Sequence, residues 1–335
     1  MSAPVTIPSP PRRSRNHWRQ SLSQSAPLLL ALVILASLTV LYIALFDAQL
    51  GRLPGLFEWT SVVNTGMPTA LVAVGQSIVV LTRGIDLSVG GIVDVSDSLA
   101  ATHMHAGAGS MLGWSLVILL FGAAAGAING ALIAYARLQP ILVTLATLSI
   151  LQGVALEVLP EPGGAIPSTY TNLLANPNRP WGLLAVAAVA ILWFIFRRTS
   201  LGVNVYAIGN DEYAARAHGI PVRRVKVAAY ALSGLLSSAG GLFLAASTTG
   251  GDPTEGNTFV LTSIAAVVLG GVSFQGGRGS ALGALAGAFT LTILVNVLFF
   301  AQVNPLYQSF FQGLFLVIAV LLGALLGRLL RRSNA

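Results

Sequence analysis

Three carboxylates sit where carboxylates are costly. Asp86 lies in TRGIDLSVGG (82–91), a polar interruption between two apolar runs, with Gly84, Gly90 and Gly91 around it. Asp94 and Asp97 follow one turn apart on the same predicted helix, with Asp86 two turns before Asp94, so that a helix would carry all three on one face. An ionisable group in such a segment faces protein, water or a partner. Two readings fit Asp86. Either it caps the following helix through a nearby N–H, or it marks a helix broken beside a transport path, where glycine tolerates the backbone. Asp94 and Asp97 form either a polar wall of that path or part of a helix that does not face lipid.

The second cluster is cationic. RRTSLGVNVYAIGNDEYAARAHGIPVRRVK (197–226) is the one long polar stretch between two very apolar ones. Residues 211–218 within it read as a short helix, with Asn210 or Asp211 as N-cap, Gly219 as the stop and Pro221 beyond. Acids at its start and bases near its end suit the helix dipole. Such a helix is a docking knob for a soluble partner, or else an ordinary solvated basic loop. His103 and His105 are two apart, whereas helical metal ligands usually sit four apart, so they read as interfacial. Asn64, Gln76, Asn129, Gln152, Asn296 and Gln312 read mostly as interhelical hydrogen-bonding groups. The single lysine, Lys226, follows no glycine loop, so the sequence has no phosphate-binding loop for ATP. No Ser/His/Asp set or metal cluster accompanies it.

The framework holding these groups is almost wholly apolar. The 335 residues are 55% hydrophobic and 9% charged, against about 25% charged in a soluble domain. Mean hydropathy is +0.79. The expected class is an all-α polytopic membrane protein, since lipid offers the backbone no hydrogen bonds. A pI near 10.4 does not indicate nucleic acid here, because the charges are sparse and gather at the ends of apolar runs. The absence of cysteine excludes disulfides and thiolate chemistry.

A crossing helix needs roughly 20 apolar residues. Ten runs are predicted: 26–46, 62–82, 86–106, 113–136, 140–159, 181–196, 227–247, 258–274, 280–300 and 307–327. Residues 1–25 form a basic tail ahead of an anchor helix, without a small-residue cleavage site. Residues 26–335 form one transmembrane domain. With the N-terminus cytoplasmic and sides alternating, every lysine and arginine except Arg52 and Arg179 falls on the cytoplasmic side, as does the C-terminus. Ten helices divide into five plus five, which would make the halves inverted copies. Gly122, Gly126 and Gly130 in one half, and Gly279, Gly283 and Gly287 in the other, form matching stripes for close helix contact.

Three blocks carry a resemblance. They are RGIDLSVGG at 83–91, AIGNDEYAARAHGIPVRRVKVAAYALSGLLSSAGGLFLAA at 207–246, and AAVVLGGVSFQGGRGSALGALAGA at 265–288. Together they resemble the permease subunits of ribose-type (monosaccharide) ABC importers, over nearly all the chain outside the basic tail. The resemblance implies half of a permease dimer, homomeric or paired with a sister subunit, in the lipid of a bacterial inner membrane. Its partners would be a periplasmic binding protein that delivers the sugar and an ABC ATPase subunit on the cytoplasmic face. The chain itself would be non-catalytic and without a cofactor, ATP being used by the partner, and would have no nucleic-acid role. It assigns Gly209, Asn210, Ala214, Ala215, Gly219 and Ile220 to the coupling segment. Gly84, Asp86, Ser88 and Gly90 carry the family motif near the path. Two departures stand out: Asp94 and Asp97 replace the usual small or apolar residues, and the loop 160–180 is short and proline-rich. The alternative is a cation-coupled secondary transporter using Asp86, Asp94 and Asp97.

Overall fold

The computed structural model describes residues 17–304, 306–308, 310–318 and 321, with side chains from residue 28 onward. Most of the predicted basic tail and the arginines at 328, 331 and 332 lie outside the described residues. Twelve helices follow in order: α1 His17–Leu50, α2 Leu56–Leu81, α3 Val89–His103, α4 Ala108–Ala134, α5 Pro140–Val158, α6 Ser168–Leu174, α7 Trp181–Phe196, α8 Ser200–Asn210, α9 Glu212–Ala217, α10 Val222–Thr248, α11 Gly256–Leu269 and α12 Ala281–Phe300. A further apolar helical stretch covers Leu306–Ile318. Nine of the ten predicted runs coincide with α1–α5, α7 and α10–α12, and the described part of the tenth with Leu306–Ile318, its residues 309, 319, 320 and 322–327 lying outside the described residues; α6, α8 and α9 are additional.

The runs are not ten full spans. Among the described residues six helices are long and apolar enough to cross a membrane, and α7 with α8, bent by 74°, forms a seventh candidate. The third and eighth runs shrink to α3 and α11, of 15 and 14 residues. At ~1.5 Å per residue such helices fall well short of ~30 Å. The backbone leaves the helix at 82–88, 249–255 and 270–280, where glycines and small polar residues interrupt the apolar pattern.

α2 and α10 form the centre and are buried over most of their length, whereas few of the described residues of α1 are fully buried. α10 packs along α4, α2 and α3; α2 also meets α12 and α11. The glycine stripe of α4 explains the tightest of these contacts. A Cβ at Gly122, Gly126 or Gly130 would run into the backbone of Gly234, Tyr230 or Val227 on α10. The second stripe serves a different contact. Gly283 and Gly287 lie against Gly270 and Ala266, at the end of α11, and Gly279 precedes α12. The stripes are therefore alike in sequence but not equivalent in packing.

Candidate functional site

The polar groups collect at two ends of the bundle. At the basic end the α9 knob forms largely as its sequence dictates. Asp211 is the N-cap and accepts from the Ala214 N–H at 3.0 Å. At the other terminus the Gly219 N–H donates to Arg216 O and the Ile220 N–H to Ala215 O. These paired bonds need a left-handed residue just past the helix, and Gly219 supplies it with φ 78°. Ala215 is buried in the main core and Ile220 packs against it. Tyr213 points the other way and is 85% exposed. Glu212 joins α9 to α10 through Lys226 at 2.8 Å and pairs with Arg216 at 3.0 Å. Partial burial pushes the Glu212 carboxyl up, but the two cations outweigh it and hold the group below its ordinary value. A cleft of about 290 Å³ opens beside the knob, with Arg137, Arg216, Arg223 and Lys226 among its lining residues.

The motif 82–91 lies directly beneath. Asp86 is not on α3: it sits in the break before it, fully buried. Its Oδ1 accepts from the Ser88 N–H at 3.0 Å and the Ser88 hydroxyl at 2.6 Å, and its Oδ2 from the Ser233 hydroxyl of α10 at 2.9 Å. The Ser88 Oγ in turn accepts from Asn129 Nδ2 at 2.9 Å, and Asn129 Oδ1 accepts from Thr147 at 2.6 Å. The chain Asp86–Ser88–Asn129–Thr147 thus stitches the break to α4 and α5. Gly84 lies under the Tyr230 ring with no room for a Cβ.

At the opposite end the same local structure recurs. Thr82-Arg-Gly-Ile-Asp-Leu-Ser-Val-Gly90 and Thr248-Thr-Gly-Gly-Asp-Pro-Thr-Glu-Gly256 share Thr, Gly, Asp, a hydroxyl residue and Gly in register. Asp252 Oδ1 accepts from the Thr254 N–H at 2.8 Å and its hydroxyl at 2.7 Å, as Asp86 does from Ser88. The second residue of each segment is left-handed: Arg83 at φ 66° and Thr249 at φ 62°. The last residues touch each other. A Cβ on Gly90 would meet Gly256 O and Val260, and one on Gly256 would meet Gly90 O and Asp94. Since Val260 and Asp94 each lie four residues past their glycine, the contact is two-fold symmetric.

Asp94 and Asp97 are enclosed within the chain and serve this second break. Asp94 Oδ1 accepts from the Gly256 N–H at 2.5 Å, and Asp97 Oδ2 from the Asp252 N–H at 2.7 Å. They satisfy backbone donors at and just before the start of α11, whose first residue, Gly256, is buried and has no intrahelical acceptor. Asp94 Oδ2 and Asp97 Oδ1 have no partner among the described residues. The three carboxylates therefore lie at two different breaks, and not along one helical face. Reading by apolar runs missed Asp252, because a single acid in a loop carries no signal until the two segments are set in register.

Gly209 and Asn210, at the end of α8, complete the basic end. A Cβ on Gly209 would overlap Leu81 O and the Gly277 N–H, while Gly277 lies against Asn210. The three blocks at 83–91, 207–246 and 265–288 thus converge on one small region. A family model described as the permease component of a branched-chain amino acid transport system matches residues 59–320. The chain belongs to this permease family. The permease is 33% identical over 301 residues to the ribose import permease protein RbsC of Escherichia coli K12, covering 86% of this chain and 89% of that protein. It is 35% identical over 274 residues to RbsC of Bacillus subtilis 168, covering 78% and 84%. It is 32% identical over 268 residues to the autoinducer 2 import system permease protein LsrC of Yersinia pseudotuberculosis serotype O:1b, covering 77% and 75%. No solved structure matches the permease. The likeness to ribose-type ABC permeases read from the three blocks holds at the level of the family.

Proposed function

We propose that the chain is the membrane-spanning subunit of an ATP-driven importer for a monosaccharide or a closely related polyhydroxylated molecule. It would sit in a bacterial inner membrane with the basic end cytoplasmic. The positive-inside bias favours that orientation. The single observation that carries the reading is the α9 knob. Its inner face, Ala215 and Ile220, is anchored in the core, while Tyr213 projects 85% exposed beside a basic cleft. A rigid capped helix offering one large ring is the form of a docking element, because a Tyr anchor loses little entropy on binding. The partner is an ATPase subunit, and ATP chemistry belongs to that subunit. A binding protein delivers cargo at the opposite end, and a second permease subunit completes the path. The sugar class rests on the relatives, one group importing ribose and another autoinducer 2.

The test is purification of the tagged, detergent-solubilised chain from its native host. An ATPase subunit should co-purify in stoichiometric amount, and Tyr213→Ala should weaken that association by about 30-fold, a hot-spot loss of ~2 kcal/mol. A chain that purifies alone and still transports in liposomes under an ion gradient would overturn the reading in favour of a cation-coupled carrier.

A further inference from the structure

We propose that Arg83 is the positioning residue that ties the ATPase-facing segment to the break before α3; this rests on the function proposed above. Arg83 occupies the left-handed position that ends α2. The Arg83 N–H donates to Val80 O and the Gly84 N–H to Val79 O, the same paired closure that ends α9. Glycine is the low-cost residue there, and another residue costs about 1 kcal/mol or more. The arginine bears that cost, and its side chain is engaged elsewhere.

That side chain reaches across to α8. Its Nε donates to Gly209 O at 2.8 Å and its Nη2 to Asn210 O at 2.7 Å. These are the last two carbonyls of α8, at the negative end of its dipole, immediately before the N-cap of α9. One planar guanidinium thus bonds the junction between the two cytoplasm-facing helices. Its stem lies over Gly276, and the neighbouring Gly277 N–H donates to Leu81 O at 3.0 Å. A displacement of the α8–α9 junction is delivered at Arg83. Three residues further on is Asp86, the buried anchor of the path to α3.

The opposite break supplies a natural contrast. Thr249 holds the equivalent left-handed position, and its hydroxyl reaches only Thr248 O, at 2.6 Å. Of the two left-handed residues, only the one at the end that carries α8 and α9 makes a long side-chain tie.

The chain has no cysteine, so an introduced pair carries its only labels, and it is assembled with a cysteine-free ATPase subunit and an unlabelled second permease subunit. One pair of spin labels, Ala217→Cys with Leu138→Cys, reports α9 against the α4–α5 turn. A second, His105→Cys with Leu53→Cys, reports the far end of α3 against the start of α2. Distances are measured in the complex with the ATPase subunit, without nucleotide and with ATP plus vanadate. In the otherwise unaltered chain both pairs should respond. Arg83→Gly removes the tie while relieving the backbone. In that variant the α9 pair should still respond, while the far pair's shifted population falls by at least ~10-fold, about 1.4 kcal/mol of coupling. Arg83→Lys, with one point charge for two carbonyls, should fall between. A far pair that responds fully in Arg83→Gly overturns the role of Arg83 alone. Equal loss of response in both pairs would also overturn it, because the residue would then hold α9 itself. An α9 pair that ignores nucleotide in the unaltered chain overturns the importer reading.

Discussion

Asp86 shows why a buried acid in this chain is not by itself an ion site. Both of its oxygens are occupied by donors from Ser88 and Ser233, so it organises a turn and joins that turn to α10. Asp86→Ala leaves these buried donors without their acceptor, at about 1–3 kcal/mol each where no relaxation occurs. The expected loss is at least ~2 kcal/mol of stability in detergent, with a smaller loss for Asp86→Asn, which keeps an acceptor oxygen. Thermal unfolding of the purified variants checks this, and an alanine variant melting with the unaltered protein would refute the account. Asp94 and Asp97 act on the same principle at the other break, each accepting one backbone N–H at or just before the start of α11.

Among the elements, the α4–α10 contact is set by backbone approach and not by side-chain volume. A Cβ at Gly126 would collide with the carbonyl of Tyr230, which belongs to a helix and cannot rotate away. Gly126→Ala should therefore cost about 1–3 kcal/mol through overpacking. Gly113, on the same helix, has nothing within 4 Å of its added Cβ. Gly113→Ala should stay within about 0.5 kcal/mol of the unaltered protein. Comparable melting of the two variants would mean that the helices are not seated as described. The shortness of α3 and α11 belongs to this scale as well. Each starts at a buried residue, and side chains cap the breaks: Asp86 accepts from the Ser88 N–H ahead of α3, and Asp94 of α3 accepts from the Gly256 N–H at the start of α11.

For the molecule as a whole, the two breaks form a matched pair that meets at Gly90 and Gly256. In a transporter built of repeats, such paired interrupted helices are where a path opens alternately to either side. The reciprocal contact makes a thermodynamic prediction. Gly90→Ala and Gly256→Ala each force the same two segments apart, so the second substitution meets a gap that the first has opened. The double variant should lose less stability than the sum of the single losses, by roughly 0.5–3 kcal/mol. Strict additivity in a double-mutant cycle of unfolding free energies would show that the two glycines do not share one crossing.

The sequence by itself determined that the chain is a helical membrane protein, which runs are helices, and that α9 stops at Gly219, while its N-cap stayed open between Asn210 and Asp211. Those properties are local: apolar length, capping residues, and a glycine where φ must be positive. It also carried the family, through strings at 83–91, 207–246 and 265–288. Tertiary structure decided that two of the ten runs are short interrupted helices. It also placed Asp86 off the helix that carries Asp94 and Asp97. The Arg83 tie and the equivalence of Asp86 with Asp252 depend on segments more than a hundred residues apart. Their bonds are fixed by which backbone carbonyls and N–H groups come to lie opposite one another. Such opposition leaves no periodicity in the chain, so it becomes visible only once the helices have packed.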